Sequence, residues 1–221
     1  MRSGLAVSFL AVTGCMPSVV ESTLVETDDL GATYEVQTAG DGTTQATAGF
    51  RWVSGMADVL LDDGDSVSAD DTPLDAGTSN DYQANVTAAA EHAFVLQRGA
   101  TRIEHHVVTP SPFTLTSPPF AGTYDLEGTL TWAPTLSGAT ISIVARGTTP
   151  ECATITLADD LVDTGSFSFT GADVKSADAM PPACVFTLDV QRTSVTGAPT
   201  SPLSSVALVS THVESTTLAL R

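Results

Sequence analysis

Short runs of alternating apolar and polar residues follow one another along most of this chain. The runs are rich in Thr, Val, Phe and Tyr, and clusters of Gly, Pro, Asp and Ser separate them. Alternation with a period of two is typical of a strand that buries one face, whereas a surface helix repeats its apolar residues at spacings of three and four. Hardly any stretch has the helical spacing. The sequence therefore predicts an all-β fold.

The candidate strands fall into two series on either side of a proline-rich junction. The junction is Thr109-Pro110-Ser111-Pro112, and proline both removes a ladder donor and favours extended connections. We therefore predict two antiparallel β-sandwich domains of immunoglobulin-like type, at residues 30–109 and 110–221. The candidate strands are 33–38, 47–53, 58–61, 82–88, 92–98 and 101–108 in the first series, and 129–132, 140–145, 153–157, 166–170, 184–191 and 205–213 in the second.

A two-residue turn at Gly99-Ala100 predicts a hairpin in the first series. Its register places His105 opposite Phe94 on the apolar face, with His92 diagonally about 7 to 8 Å from His105 between backbones. A metal site would need a third ligand, and the sequence offers no cysteine there. A pair of hydrogen-bonded histidines at the edge of a core is the preferred interpretation.

The first fifteen residues differ from the rest of the chain. Arg2 precedes an apolar run over residues 5–12, which is the order of a secretory signal and is too short to span a bilayer as a helix. The ending Val12-Thr13-Gly14-Cys15 resembles the lipobox of bacterial lipoproteins, although Val12 stands where leucine is usual. Two alternatives are an ordinary signal peptide cut elsewhere and an apolar first strand with Cys15 as a buried thiol.

The lipobox resemblance implies a location as well as a modification. In that family the cysteine thiol receives a diacylglyceryl group and becomes the new N-terminus. Residues 1–14 would then be a removed signal peptide, Cys15 the lipidated residue and 15–29 a polar tether. The expected location is the bacterial cell envelope, at the outer membrane or cell surface, with the membrane contacted through the lipid.

Three cysteines are an odd number for an exported protein. Lipidation of Cys15 accounts for one of them and leaves Cys152 and Cys184 to pair in an oxidising compartment. A metal site at these cysteines lacks a third or fourth ligand of the usual type nearby. The second domain departs from true immunoglobulin domains, since Trp132 precedes both cysteines instead of lying between them.

Acidic residues greatly outnumber basic ones, 26 against 8, for a net charge of −18. Such a charge repels nucleic acid and attracts cations, so nucleic-acid binding is not expected. Calcium takes six to eight oxygen ligands, and the acidic stretch over residues 58–81 is the best place for it. Its spacing does not match the EF-hand loop, and a solvated hairpin turn is the preferred interpretation of Asp-Asp-Gly-Asp between Leu61 and Val67. The calcium candidates are Asp62, Asp63, Asp65, Asp70 and Asp71.

The segment Leu161-Val162-Asp163-Thr164-Gly165-Ser166 resembles the catalytic motif of aspartic proteases. That chemistry needs two carboxylates that share a proton, and the chain has no second Asp-Thr-Gly or Asp-Ser-Gly. The same residues are ordinary turn chemistry before a strand. The sequence therefore predicts a non-enzymatic binding or envelope-structural role with no cofactor. The alternatives are an envelope hydrolase that uses Asp163 and a calcium-dependent adhesion module.

Overall fold

The computed structural model describes residues 19–62, 64–77, 79–174, 183–196 and 201–220. These ranges contain β-strands and short 3-10 helices, which confirms the all-β prediction. No helix within them has the length and apolar character needed to cross a membrane. The strands are β1 Val19–Glu21, β2 Leu30–Ala39, β3 Thr44–Trp52, β4 Ala57–Leu60, β5 Ser66–Ala69, β6 Thr72–Pro73, β7 Asp75–Ala76, β8 Asp81–Val86, β9 Glu91–Arg98, β10 Thr101–Val108, β11 Thr114–Leu115, β12 Phe120–Gly122, β13 Glu127–Ala133, β14 Thr140–Gly147, β15 Ile155–Val162, β16 Ser166–Thr170, β17 Cys184–Thr196 and β18 Ser205–Leu220. The 3-10 helices are Ser22–Leu24, Thr27–Asp29 and Gly171–Val174.

Two sheets enclose the first hydrophobic core. The main sheet has the strand order β1-β4-β3-β2-β18-β17-β14-β15, and a second sheet has the order β10-β9-β5-β6. Tyr34 on β2 reaches across the interface, with its ring centroid 5.0 Å from that of Phe94 and 5.3 Å from that of His105. Alternate residues of each strand fill this core because successive side chains of a strand point to opposite faces.

The second hydrophobic core lies under the other end of the main sheet. There β14 and β17 face a small sheet with the order β11-β13-β16. Leu130 and Trp132 from β13 pack with Ile141, Phe186 and Leu188 of the main sheet, and all five are buried. The chain thus builds two cores, each covered by the main sheet on one side.

Strand β18 serves both cores. It pairs in parallel with β2 along residues 205–213 and antiparallel with β17 along residues 208–220. Its Leu208 belongs to the first core and its Leu218 to the second. The main sheet therefore continues from one core to the other, and the predicted division between residues 109 and 110 remains a prediction.

Several pairings of the main sheet differ from the antiparallel arrangement that we expected. β1 with β4, β12 with β18 and β18 with β2 are parallel pairs. A parallel neighbour needs a long crossover connection. The chain between β2 and β18 forms such a connection, and it includes most of the residues of both cores.

The predicted register of the hairpin formed by β9 and β10 is confirmed. The hairpin turn expected between Leu61 and Val67 is not formed. Phe94 pairs with His105 and Leu96 with Ile103, as the Gly99-Ala100 turn predicted. By contrast, β4 and β5 lie in different sheets and do not pair. Asp62 and Asp65 therefore belong to a connection between sheets rather than to a hairpin turn, because Asp62 is bonded to Ser22 and Asp65 to Arg98.

Residues 19–29 are the part of the predicted tether next to the first domain, and they are folded onto that domain. They form β1 and two of the 3-10 helices. Ser22 is fully buried and Val25 joins the first core. Arg98 fixes this segment by donating from Nη2 to the carbonyl oxygens of Ser22 at 2.7 Å and Val25 at 2.9 Å.

We predict that the two cores unfold together because β18 passes through both. Leu208→Ala and Leu218→Ala should each cost about 2 to 5 kcal/mol, the usual range for a buried leucine. Differential scanning calorimetry should show one transition, which both substitutions lower. Two separate transitions, each moved by only one of the substitutions, would show that the cores are independent.

Candidate functional site

The structure confirms the disulfide between Cys152 and Cys184. Both cysteines are buried, and their Cα atoms are 5.9 Å apart. The turn that holds Cys152 packs closely on the end of β14, where a Cβ on Gly147 would lie 1.8 Å from the carbonyl oxygen of Cys152. Only glycine allows that approach. Cys15 lies outside the described residues, so its lipidation stays a prediction.

Asp163 is a buried structural carboxylate. Its Oδ2 lies 2.8 Å from Nη2 of Arg192, and both side chains are fully shielded from solvent. Oδ1 accepts a hydrogen bond from the indole of Trp132 at 2.7 Å, and Oδ2 accepts another from the backbone N–H of Leu136 at 2.8 Å. Gly165 has the positive φ expected of the turn, at 85°. The partners of Asp163 come from other segments of the chain rather than from the turn that holds it.

Arg192 contacts three parts of the second half of the chain. Besides Asp163, its Nη1 donates to the carbonyl oxygen of Ser111 at 2.9 Å and its Nη2 donates to that of Pro134. Its guanidinium carbon lies 4.5 Å from the ring centroid of Phe113. Both oxygens of Asp163 are thus engaged in holding the fold together. Sequence reasoning overlooked Arg192, although its inward position on β17, two residues after a buried valine, was a usable signal.

Three of the four calcium candidates that the structure describes have separate partners. Asp62 accepts from the Ser22 hydroxyl at 2.7 Å, and this bond lowers the pKa of Asp62. Asp65 pairs with Nε of Arg98 at 3.1 Å. Asp70 accepts from the backbone N–H of Ala93 at 2.9 Å. Asp70 and Asp71 both have positive φ.

No group of three potential metal ligands occurs among the described residues, which leave out Asp63. The calcium prediction therefore gains no support from the described carboxylates. Asp62 and Asp65 anchor the connection between the two sheets. Asp70 lies beside His92.

Two histidines lie in the first core, on the face that the hairpin predicted. Nδ1 of His92 lies 2.6 Å from Oδ2 of Asp70, and Nε2 of His105 lies 3.1 Å from Oγ of Ser201. Within the described ranges, the other nitrogen of each ring is buried without a hydrogen bond, as is the Tyr34 hydroxyl. Among the described residues, each histidine therefore has a hydrogen-bond partner at only one of its two ring nitrogens. Burial lowers the pKa of His105, and the charge of His106 adds to this effect.

The outer face of the main sheet carries a polar cavity of about 310 Å³, which we call the amide cavity. Four side-chain amides surround it, and the strand register sets their places: Gln37 pairs with Gln45, and Gln45 pairs with Asn85 on the next strand. Gln191 comes from β17. The full lining comprises Gln37, Ala39, Thr43, Gln45, Asn85, Arg146, Asp189, Gln191 and Val213.

An ion pair closes one side of the amide cavity. Nε of Arg146 donates to Oδ2 of Asp189, whose Oδ1 accepts from the Ser215 hydroxyl at 2.7 Å. The Asp189 side chain is nearly buried, whereas that of Arg146 is 54% exposed. In the described part of the chain, no hydrogen bond engages the two terminal nitrogens of Arg146. These nitrogens are held in place and remain open to a ligand.

Two other open cavities have less suitable chemistry for binding a polar ligand. One, of about 450 Å³, places Arg51 among the carboxylates of Asp58 and Asp81, so its charged side chains are negative on balance. The other, of about 430 Å³, is lined mainly by alanines and prolines at 88–90 and 110–112. We take the amide cavity as the candidate binding site because of its four amides and the open terminal nitrogens of Arg146. Sequence reasoning did not find it, since its amides are scattered over the chain and each looks like an ordinary outward residue of a strand.

We predict that Arg192→Met destabilises the protein by about 3 to 5 kcal/mol, because it leaves the Asp163 carboxylate buried without a counter-charge. Urea unfolding measures the change. Arg102→Met is the matched control, since Arg102 forms an exposed pair with Glu104 and should cost less than about 1 kcal/mol. Equal losses in the two variants would contradict a structural role for the buried pair.

We also predict that His105 makes the fold sensitive to acid. Its pKa is lowered from the ordinary 6.5 in the folded state, so the unfolded chain binds the proton more readily. The stabilisation is complete above pH 6.5 and is lost as the pH falls through the folded pKa. His105→Phe keeps the ring stack on Tyr34 and should flatten the stability profile between about pH 5 and 7. His106→Gln removes only the smaller cause of the lowered pKa and should reduce the slope less than His105→Phe, and a slope that depends on His106 alone would refute this assignment.

The chain was compared with known families, curated proteins and solved structures. No family model matches it, and no curated protein matches it. Among solved structures, it is similar to the fibronectin(III)-like modules of Clostridium thermocellum CbhA, with 10% identity, over 84% of this chain and 93% of that one, at a TM-score of 0.22. At that level of similarity, the fold assignment depends on the strands and cores of this chain itself.

Proposed function

We propose that this protein is an exported envelope lipoprotein, anchored through a lipid on Cys15, that has a non-catalytic binding role. One observation carries the proposal: Cys152 and Cys184 are bonded to each other in the second core. This pairing leaves Cys15 as the remaining cysteine of the chain, in the Val12-Thr13-Gly14-Cys15 context that resembles a lipobox.

The disulfide supports export because such bonds persist in oxidising compartments and are rare in the bacterial cytosol. The two cysteines are 32 residues apart. Closing a loop of that length stabilises a fold by about 3 to 4 kcal/mol in the chain-entropy model. The proposed location is the outer membrane or cell surface.

A binding role is preferred to hydrolysis because of the contacts of Asp163. An aspartic-protease mechanism needs a carboxylate that shares a proton with a second one and reaches the substrate. Asp163 instead bonds Arg192, Trp132 and Leu136 in a place shielded from solvent. The amide cavity, by contrast, presents polar groups on an open sheet face.

We propose that the halves are two immunoglobulin-like sandwiches, joined near residues 109–110. Their separate hydrophobic cores favour the division. The shared strand β18 would then join them into one body.

The lipid anchor predicts that the protein takes up labelled palmitate when it is expressed in a bacterial host that processes lipoproteins. Globomycin, which inhibits lipoprotein signal peptidase, should cause the uncleaved precursor to accumulate. Cys15→Ala should abolish the label. The double substitution Cys152→Ser and Cys184→Ser is the control, and it should lower stability while the label remains.

Two results would overturn the anchor. One is a mature protein without lipid whose processing is indifferent to globomycin. The other is a label that persists in the Cys15→Ala protein.

A further inference from the structure

We propose that the amide cavity binds an acidic saccharide, in which one sugar carboxylate pairs with Arg146 and the sugar hydroxyls bond to the surrounding amides. The inference deepens the proposed binding role and names its ligand class. Its chemistry depends on residues of β2, β3, β8, β14, β17 and β18, and it does not require that Cys15 be lipidated.

The guanidinium of Arg146 is prepared for a carboxylate. Asp189 holds its Nε, and Ser215 in turn holds Asp189, so the orientation of the planar group is fixed from behind. The terminal nitrogens then present donors in a fork that matches the two oxygens of a carboxylate. Lysine offers only a point charge at such a position.

The charge around the cavity limits the ligand to a small negative charge. Asp189, the acidic residue in the lining, is already engaged by Arg146 and Ser215. Glu35 lies on the same face of β2, two residues before Gln37, and the whole protein carries a net charge of −18. This field opposes multiply charged anions such as phosphates. A single carboxylate gains the Arg146 contact with the least repulsion.

The amides fit a ligand that is rich in hydroxyl groups. Each side-chain amide both donates and accepts, and so does each sugar hydroxyl. Gln37, Gln45, Asn85 and Gln191 come from four strands of one sheet. Because a sheet holds its side chains at fixed positions, binding orders few groups and costs little entropy.

The floor and size of the cavity agree with this ligand. Val213 pairs with Ala39 on one side and with Gln191 on the other, so two short apolar side chains lie at the centre, where the C–H face of a sugar ring can rest. The volume, about 310 Å³, is at the lower end of the range for small-molecule sites. This size suits one or two sugar rings rather than a long chain.

Isothermal titration calorimetry on the full-length mature protein in detergent tests the inference. The probes are D-glucuronate, D-galacturonate, the matching neutral sugars glucose and galactose, and inorganic phosphate. At least one uronate should bind saturably, at least tenfold more tightly than its neutral counterpart. Phosphate should bind more weakly than the uronate.

Variants assign the contacts. Arg146→Gln should lose at least tenfold affinity for the uronate and little for the neutral sugar, and Arg146→Lys should fall between it and the wild type. Gln191→Ala should lower the affinity for both the uronate and the neutral sugar. Arg102→Gln, an exposed arginine far along the sequence, is the matched control and should bind normally. Circular dichroism confirms that each variant is folded.

Three outcomes would overturn the inference: no saturable binding of either uronate, unchanged uronate affinity in folded Arg146→Gln, or phosphate binding as tight as that of the uronate. The Cys15→Ala protein separates this inference from the anchor. If that protein binds the uronate normally but the wild type takes up no palmitate, only the anchor fails. If the wild type is labelled but binds no uronate, only the ligand assignment fails.

Discussion

A single buried positive charge organises the second half of this molecule. The guanidinium of Arg192 cannot remain in an apolar core without partners, because removing a charge from water costs several kcal/mol. The fold meets this requirement by bringing Asp163, Ser111 and Pro134 to the same point, with the ring of Phe113 beside them. The need to compensate this charge therefore fixes the positions of three segments: the junction after β10, the turn after β13 and the turn after β15. The main sheet contributes the arginine, and the small sheet and its loops contribute the carboxylate and the carbonyl oxygens that bind its guanidinium.

The sequence predicted the parts of the fold that depend on local chemistry. The β9–β10 hairpin was correct in register because Gly99 allows the tight turn and the period of two then fixes which side chains are buried. The end of β18 was missed, since residues 214–217 are polar and resemble a loop. Those residues are held as a strand by pairing with β17, a contact between distant segments that no local pattern encodes.

The candidate sites also divide into those that local sequence predicts and those that depend on contacts between distant segments. The Cys152 to Cys184 bond was predictable, because cysteine count and a signal-like N-terminus restrict the pairing. The role of Asp163 was not, because its partner Arg192 lies 29 residues later and its burial depends on the whole second core. The amide cavity was equally hidden. A glutamine that points outward from a strand is ordinary, and only the side-by-side placement of β8, β3, β2, β18 and β17 turns several such residues into a site.

The folded segment at residues 19–29 has a mechanical consequence for a chain anchored at Cys15. Only Met16, Pro17 and Ser18 separate that cysteine from β1, so any pull between membrane and body enters the protein at once through this strand. β1 is three residues long and pairs in parallel with β4 at the edge of the main sheet. Behind it stand the Ser22 to Asp62 bond and the two bonds from Arg98. The load would thus be resisted first by a short edge strand, then by a cluster of polar contacts, and finally by Val25, which ties the segment to the first core.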